Sequence, residues 1–241
     1  MNKIQTPHSR TSVPRVAKGT RVYAIGDIHG RSDLLDRLLE TIAKDATDAP
    51  KRRVLVTLGD YIDRGPDSAA VVERLSTLHR KAPFKDFELC FLKGNHEHLM
   101  EHFLQGRDDG RMWLGCGGAE TLKSYNAKWT AHDAAAHIPK RHRRFFAELA
   151  LMHREGDYVF AHAGVRPGVK LDEQRAQDVL WIRDRFLDAT RNFGAVIVHG
   201  HTPVDVPNVL DNRIAIDTRA WASGTLTALV LQGAEQRFLS T

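Results

Sequence analysis

The stretch Gly59-Asp60-Tyr61-Ile62-Asp63-Arg64-Gly65 closes an apolar run, Arg53 to Asp60, that predicts a buried β-strand. Two carboxylates and a guanidinium therefore stand between glycines where a strand stops. Asp60 is suited to bridge two cations, which together can bind a nucleophile and stabilise a transferring phosphoryl group. Taken alone, the stretch is also compatible with a turn that carries a surface ion pair between Asp63 and Arg64.

Four other clusters of polar residues follow apolar runs in the same way. They are Gly26-Asp27-Ile28-His29-Gly30, Gly94-Asn95-His96-Glu97, Ala161-His162-Ala163-Gly164 and His199-Gly200-His201-Thr202-Pro203. Asp27 and His29, two residues apart at a strand end, can point to one side and offer an oxygen and a nitrogen to one metal. A lone histidine after a strand is more often structural. Five clusters nevertheless predict one common site, because an open α/β sheet gathers its functional groups at the carboxyl ends of its strands.

Strand and helix signals alternate along the first part of the chain. Short runs rich in Val, Ile and Leu predict strands at Arg21 to Asp27, Arg53 to Asp60, Phe87 to Asn95, Tyr158 to Ala163 and Ala195 to His201. Amphipathic periodicity predicts helices at Ser32 to Ala46 and Ser68 to Leu78. This alternation indicates an α/β sheet.

The end and the middle of the chain show other patterns. Successive strands joined by short turns are predicted at Arg213 to Thr218, Thr225 to Leu231 and Gln236 to Ser240, which indicates a second, more antiparallel sheet. The stretch from Glu97 to Leu151 lacks strand signals. We therefore predict a mostly helical cap over the site at about residues 100–151.

Composition narrows the class of protein. The 241 residues are 42% apolar and 27% charged, as in an ordinary globular protein, and no apolar run is long enough to span a membrane. Residues 1–20 lack the apolar core of a signal peptide, so we expect a flexible extension before one catalytic domain at residues 21–241. Cys90 and Cys116 form no CxxC pair, which favours a reducing, cytoplasmic setting. The formal charge of +5 favours anionic partners: phosphates, acidic proteins or nucleic acid.

Taken together, the motifs GDIHG, GDYIDRG, GNHE, HAG and GHT resemble those of the phosphoprotein phosphatase family within the calcineurin-like metallophosphoesterases. The resemblance spans about Val22 to Leu231. It is closest to bacterial and phage serine/threonine protein phosphatases and to the related diadenosine tetraphosphatases. It implies an α/β fold in which two mixed β-sheets pack as a sandwich flanked by helices, with a mostly helical cap.

The resemblance also implies two divalent metal ions. One metal would be held by Asp27, His29 and Asp60, and the other by Asp60, Asn95, His162 and His201. Asp60 would bridge them. Mixed oxygen and nitrogen ligands suit manganese, iron or zinc, of which we expect manganese.

Further roles follow from the same resemblance. His96 is expected to be the general acid, oriented by Asp63, although a loop histidine capping the next helix is the alternative. Arg64 would bind the phosphate oxygens through its planar, paired donors. The segment Leu180-Trp181-Ile182-Arg183 resembles the one that brings a second arginine, so Arg183 is the other candidate. A solvated helix face is the alternative for Arg183.

Three further features are interpreted through the family. The family motif is matched by Gly200-His201-Thr202, and His199 lies one position before this element. His199 is therefore expected beside the ligands rather than among them. Trp113 to Tyr125 resembles a segment of the bacterial members and is expected to shape substrate access. The family's Asp-Thr-Gly is Asp217-Thr218-Arg219 here, and Arg219 is expected to alter which substrate fits.

These observations predict a metal-dependent phosphatase in which a hydroxide held by both metals attacks phosphorus in line, without a covalent phosphoenzyme. The expected substrate is phosphoserine or phosphothreonine in a protein. The alternative is a dinucleoside polyphosphate, cleaved by a bis(5'-nucleosyl)-tetraphosphatase. A third hypothesis is a binding module with a structural metal and the basic run Lys140 to Arg144, although a solvated helix face is the favoured interpretation of that run. We expect neither a membrane nor a nucleic acid as partner.

Overall fold

The computed structural model of the protein describes residues 13–241, so most of the extension predicted at residues 1–20 lies outside the described residues. Numbered along the chain, the strands are β1 (Thr20–Ile25), β2 (Arg52–Thr57), β3 (Glu88–Phe91), β4 (Met152–Glu155), β5 (Tyr158–Ala161), β6 (Val196–His199), β7 (Asn208–Val209), β8 (Arg213–Ala215), β9 (Thr227–Gln232) and β10 (Glu235–Ser240). The α-helices are α1 (Ser32–Asp45), α2 (Ser68–Thr77), α3 (Asn95–Leu104), α4 (Arg111–Trp113), α5 (Ala119–Ser124), α6 (Ala131–His137), α7 (Lys140–Ala147), α8 (Ala176–Trp181), α9 (Asp184–Leu187) and α10 (Ala220–Ser223).

The strands form two five-stranded mixed sheets, as the sequence predicted. The first has the order β10-β9-β1-β2-β3, and the second has the order β4-β5-β6-β8-β7. The strands β1, β2 and β3 are parallel, and β9 and β10 are antiparallel to their neighbours. In the second sheet β5, β6 and β8 are parallel, while β4 and β7 form antiparallel edges.

The two sheets pack face to face, and helices cover the outer face of the first sheet. In β1, Val22 and Ala24 belong to a core cluster shared with Phe160 and Val198 of the second sheet. The alternate residue Tyr23 belongs to a cluster that includes the apolar face of α1. Because β1 is buried on both faces, its last four residues, Val22 to Ile25, are all apolar or aromatic. The predicted sandwich flanked by helices is therefore confirmed.

One expectation about the sheets was wrong. Of the three strands predicted near the end of the chain, only β8 lies in the second sheet, where it runs parallel to β6. The hairpin of β9 and β10 instead completes the first sheet beside β1. Hydrophobic alternation indicates that a segment is a strand, but it does not reveal the partner. The edge strand β4 was not predicted, because its sequence Met-His-Arg-Glu is polar and half-exposed.

Residues 100–151 are mostly helical and contain the end of α3 and all of α4 to α7. In α7, His142, Phe145 and Phe146 are buried, whereas the basic residues around them are exposed. The basic run is therefore the solvated face of a helix. Among residues 13–241, no helix has both the length and the apolar character needed to cross a membrane.

The described residues that precede β1 lie against the sandwich. The Val16 side chain is buried in the core between the sheets, and its N–H donates to the carbonyl of Gly233 at 3.0 Å. The N–H of Arg15 donates to Asp157 Oδ2 at 2.9 Å. Arg15 and Val16 therefore hold this stretch against the domain that follows it.

Candidate metal centre

The predicted metal ligands are brought together at the carboxyl ends of the strands of both sheets. We call them the inner cluster: Asp27, His29, Asp60, Asn95, His162 and His201. None of the six is more than 7% exposed. Four of the five motifs thus follow β1, β2, β5 and β6, and the fifth begins α3 beyond the end of β3. Residues that are far apart in the sequence share one buried site because these strands end at the same edge.

Asp60 lies at the centre of the inner cluster. Its Oδ2 is 3.4 Å from His29 Nε2, and its Oδ1 is 3.4 Å from His162 Nε2. Two groups of possible ligand atoms share Asp60, one with His29 and His96 and the other with His162 and His201. Within each group the atoms lie within 4.8 Å of one another. One carboxylate therefore faces two potential cation sites.

Backbone carbonyls fix the orientation of two of the histidines. Nδ1 of His29 donates to the carbonyl of Ile62, and Nδ1 of His162 donates to the carbonyl of Leu58, both at 2.8 Å. Each neutral ring then turns the lone pair of Nε2 toward Asp60. This arrangement, in which one nitrogen is hydrogen-bonded and the other is free to coordinate, is typical of metal-binding histidines.

Several lone pairs converge at the inner cluster. His162 Nε2, whose ring proton is on Nδ1, lies 2.8 Å from Asn95 Oδ1, which accepts from His201 Nδ1 at 2.8 Å. Among the described residues, Asp27 Oδ1 and His201 Nε2 are buried and have no hydrogen-bond partner. Buried acceptors without donors are costly unless a cation satisfies them. The donor set therefore fits divalent metal ions.

Burial also sets the protonation states. It lowers the pKa of His29 to about 3 and that of His201 to about 2, so both rings are neutral, the form that binds metals. For Asp60, burial opposes ionisation, but the surrounding histidines hold its pKa below the usual range. Burial, Asp217 and Asp60 raise the pKa of Asp27 well above its ordinary value. Such crowding of carboxylates is relieved by a bound cation.

Asp27 and His96 depart in detail from the predicted assignment. Asp27 belongs to neither group of atoms around Asp60, and its Oδ2 accepts the N–H of His201 at 3.0 Å. His96, predicted as an acid, does belong to the first group. His199 belongs to neither group. It is buried, and its Nδ1 donates to the carbonyl of Gly200 at 3.1 Å.

The backbone around the site is held in unusual conformations. Seven non-glycine residues among those described have φ between 45° and 73°, and five of them belong to the inner cluster or lie next to it: His29, Asp60, Asp63, Arg64 and His201. Left-handed backbone in residues with a Cβ is uncommon and is concentrated at functional sites. Neighbouring glycines are also required, because a Cβ on Gly94 would overlap Asp60 Oδ1 and a Cβ on Gly200 would overlap Asp27 Oδ1.

Glu97 has a structural role that the sequence analysis did not assign. Its Oε2 accepts the N–H groups of Gly94 and Asp60, both at 2.9 Å, and its Oε1 accepts that of Tyr61 at 2.8 Å. It thereby ties the loop after β2 to the start of α3. Burial raises the pKa of Glu97 to about 8. Its position three residues after Gly94, at the start of a helix, was the available signal.

His96 and Asp63 form a buried pair beside the inner cluster. His96 Nδ1 donates to Asp63 Oδ2 at 2.6 Å, and His96 Nε2 lies 3.2 Å from Arg64 Nη2 and 3.8 Å from Asp60 Oδ2. Burial disfavours the charged imidazolium, but the carboxylates of Asp60 and Asp63 raise the pKa of His96 above its ordinary value. The ring can therefore hold a proton that faces the inner cluster.

Two residues of the segment Trp113 to Tyr125, which is predicted to shape substrate access, point inward. Trp113 and Thr121 are buried, and both donate hydrogen bonds to Asp63. The indole packs inside the helical region, against Phe103, with the two ring centroids 5.0 Å apart.

The outer part of the site, which we call the rim, consists of Arg64, Arg183, Arg219 and Trp221. Arg64 is half-buried, and its Cζ lies 5.4 Å from the Trp221 ring centroid. Arg183 is exposed, with Nη1 3.5 Å from the hydroxyl of Thr202. Arg219 has φ 55°, which explains why glycine is expected there, and its exposed side chain pairs with an aspartate.

Comparison with known proteins gives consistent results. The family model described as calcineurin-like phosphoesterase matches residues 20–224. The chain is 27% identical over 225 residues to the asymmetrical bis(5'-nucleosyl)-tetraphosphatase PrpE of Halalkalibacterium halodurans, covering 85% of this chain and 87% of that protein. It is 29% identical over 216 residues to serine/threonine-protein phosphatase 1 of Salmonella typhimurium, covering 88% and 92%.

A solved structure has the same fold. A mutant of a cold-active protein tyrosine phosphatase superposes with a TM-score of 0.67 over 95% of this chain and 82% of that one, at 18% identity. At this identity the likeness concerns the fold alone. The names of these three proteins specify three different substrates. The solved structure supports the fold, and the family model and the two sequence relatives support the type of reaction but not one particular substrate.

Proposed function

The chain belongs to the calcineurin-like phosphoesterases, which are metal-dependent hydrolases, and from this premise we propose that it dephosphorylates phosphoserine and phosphothreonine in proteins. The observation that carries the chemistry is the position of Asp60, buried with one oxygen toward each of two histidine groups. A carboxylate in this position suits two cations that act on one phosphoryl group. The relative from Salmonella supports the choice of substrate.

The inner cluster would hold both ions. Asp27, His29 and Asp60 would hold one, and Asp60, Asn95, His162 and His201 would hold the other. When bound, two divalent ions make water a stronger nucleophile near neutral pH and neutralise phosphate oxygens. The mixed oxygen and nitrogen donors suit manganese, iron and zinc, and manganese is the ion proposed here.

Residues outside the inner cluster would bind the phosphate and move a proton. Arg64 and Arg183 carry guanidinium groups that can each donate paired hydrogen bonds to phosphate oxygens. His96 Nε2, which accepts from Arg64 Nη2 at 3.2 Å and lies 3.8 Å from Asp60 Oδ2, would carry the second proton of the ring once Arg64 binds phosphate, and would give that proton to the leaving oxygen as the P–O bond breaks. Asp63 accepts from Nδ1 of the same ring and stabilises the imidazolium before transfer.

Product formation tests this proposal, measured as phosphate released from a phosphopeptide and as mononucleotides formed from diadenosine tetraphosphate. We expect metal-stripped protein to be inactive on a phosphothreonine peptide and to regain turnover when manganese is added. The value of kcat/KM for that peptide should exceed the value for diadenosine tetraphosphate. A ratio far below one would move the assignment to nucleotides, and hydrolysis of neither substrate with any of the three metals would refute the proposal.

Hydrolysis of dinucleoside polyphosphates is the second candidate function, and one feature of the rim favours it. The Trp221 ring is 41% exposed and lies beside Arg64, the residue proposed to bind phosphate. In a nucleotide, one ribose separates the base from its phosphate. A base could therefore stack on Trp221 while Arg64 binds the phosphate. The relative from Halalkalibacterium supports the same substrate class.

Substitution of Trp221 separates the two candidates. If a base stacks on this ring, Trp221→Ala should lower kcat/KM for diadenosine tetraphosphate roughly fivefold to a hundredfold, because stacking contributes about 1–3 kcal/mol per base. Hydrolysis of p-nitrophenyl phosphate should change little. Trp129, which is 67% exposed in the helical region, provides the control variant Trp129→Ala. Equal losses on both substrates would remove the argument for a nucleotide.

A further inference from the structure

The carboxylate of Asp63 is fully buried and receives hydrogen bonds from three side chains. Its Oδ1 accepts from the hydroxyl of Thr121 at 2.6 Å and from Trp113 Nε1 at 3.1 Å. Its Oδ2 accepts from the same Trp113 nitrogen at 2.9 Å and from His96 Nδ1 at 2.6 Å. The indole therefore bridges both oxygens, and only one oxygen faces His96.

Thr121 also binds the backbone of the same residue. The N–H of Asp63 donates to Thr121 Oγ1 at 2.9 Å and to Ser68 Oγ at 3.1 Å. A hydroxyl has one proton and two lone pairs. Thr121 can thus donate its proton to the carboxylate and accept the amide of Asp63. This pair of bonds holds Asp63 with φ at 73°, a conformation that a residue with a Cβ seldom adopts.

One segment supplies these contacts and also reaches Arg64. Trp113 ends α4, a π-helical turn spans Leu114–Gly118, and Thr121 lies in α5. Gly117, with φ at 108°, presents its carbonyl to the N–H of Arg64 at 3.3 Å. A Cβ at Gly117 would overlap that nitrogen. The segment therefore contacts two adjacent residues with different proposed roles.

We propose that Trp113 and Thr121 are positioning residues for acid catalysis, acting on His96 through Asp63. The inference rests on the proposed function, in which the Nε2 proton of His96 passes to the leaving oxygen while the P–O bond breaks. With Trp113 and Thr121 in place, Asp63 Oδ2 accepts from Nδ1 of His96. This hydrogen bond turns Nε2 of the same ring toward Arg64 and Asp60. Without one of these donors, the carboxylate and then the imidazole lose their fixed orientation.

Loss of positioning has a signature that general damage lacks. A basic leaving oxygen needs a proton as the bond breaks, whereas a stable leaving anion such as p-nitrophenolate needs little help. Misplacing His96 should therefore slow substrates in proportion to the basicity of the leaving group. Partial unfolding or metal loss would slow all substrates by the same factor.

The experiment measures kcat for a series of substituted phenyl phosphates, from p-nitrophenyl to unsubstituted phenyl, in the manganese-loaded full-length protein. Thr121→Val and Trp113→Phe should each lower the rate on phenyl phosphate about tenfold more than the rate on p-nitrophenyl phosphate. This factor is smaller than the full contribution of a general acid, because His96 itself is still present. Thr121→Ser keeps the hydroxyl and should restore the wild-type ratio. The control Trp129→Phe, at an exposed tryptophan of the same region, should leave the ratio unchanged.

The ratio of the two rates does not depend on the fraction of active protein, so a poorly folded variant still gives an answer. The variant His96→Ala, which lacks the imidazole, should show the largest change in this ratio. If both Thr121→Val and Trp113→Phe keep the wild-type ratio, or if Thr121→Ser fails to restore it, the positioning role is wrong. If the metal-loaded wild-type protein hydrolyses neither the aryl phosphates nor the phosphothreonine peptide, the proposed function itself fails.

Discussion

The inner cluster and the rim are adjacent, but the protein builds them in different ways. Every residue of the inner cluster follows a buried strand or starts a helix against the sheets, and none is more than 7% exposed. The rim comes from turns and short helices: Arg183 precedes a four-residue helix, and Trp221 belongs to another. The core therefore fixes the residues that would hold the metals, whereas the residues that would contact the rest of the substrate are free to vary.

This difference explains why the type of reaction is easier to assign than the substrate. A polar residue at the end of a buried strand must be satisfied by neighbours from other strands, so the whole set constrains each member. An exposed side chain on a short helix meets no such requirement, and most substitutions there leave folding almost unchanged. The relatives agree on the fold and differ in the substrates that their names specify.

The largest effect is expected from a change at the centre of the inner cluster. Asp60→Asn keeps the size of the side chain but removes the charge that faces both histidine groups. We expect kcat on p-nitrophenyl phosphate to fall about a thousandfold or more, because the contribution of the metals, several kcal/mol, is lost. Bound metal, measured by mass spectrometry, should fall as well.

The matched control for this variant is Asp36→Asn. Asp36 lies in α1 and pairs with Arg74 at the surface, away from the strand ends. This variant should keep its activity and its metals. Near-normal turnover in Asp60→Asn would mean that the buried carboxylate is not the bridging group.

A smaller effect concerns how the stability of the protein depends on pH through His199, which is buried near the inner cluster. Burial lowers the pKa of His199 from 6.5 to about 4, so the unfolded chain takes up a proton at a higher pH than the folded chain does. Stability should therefore fall as the pH falls below 6.5, by about 2 kcal/mol from this group between about pH 7 and about pH 5. Urea unfolding in the presence of a chelator measures this loss.

His199→Gln should remove that contribution and flatten the pH dependence of the free energy of unfolding by about 2 kcal/mol over the same range. His132, an exposed histidine of α6, provides the control variant His132→Gln, which should keep the wild-type slope. An unchanged slope in His199→Gln would show that this histidine titrates as it does in the unfolded chain.

The smallest expected effect belongs to the rim. Arg183→Ala should lower kcat/KM roughly tenfold, because an exposed guanidinium contributes about 1.4 kcal/mol through charge-assisted hydrogen bonds to phosphate. Steady-state kinetics with p-nitrophenyl phosphate measures it. Arg185, exposed two residues further along, gives the control variant Arg185→Ala. If Arg183→Ala lowered activity as much as Asp60→Asn does, the rim would be as important for catalysis as the inner cluster, contrary to what we expect.

The sequence predicted the inner cluster better than its surroundings, and for physical reasons. The motifs around Asp60 and His162 are short and local, and strand ends are readily recognised from apolar runs. The partners of β9 and the polar edge strand β4 depend on tertiary pairing, which hydrophobic alternation does not encode. The contacts of Trp113 with Asp63 were missed because 50 residues separate them and a tryptophan on a helix has no characteristic spacing.

The proposed reaction requires two metal ions acting together at Asp60. The decisive measurement is the initial rate of p-nitrophenyl phosphate hydrolysis while manganese is titrated into the metal-stripped wild-type protein. We expect a negligible rate without metal and a plateau that requires two equivalents per chain. Full activity in a chelator, or a plateau at one equivalent, would show that two metals are not needed.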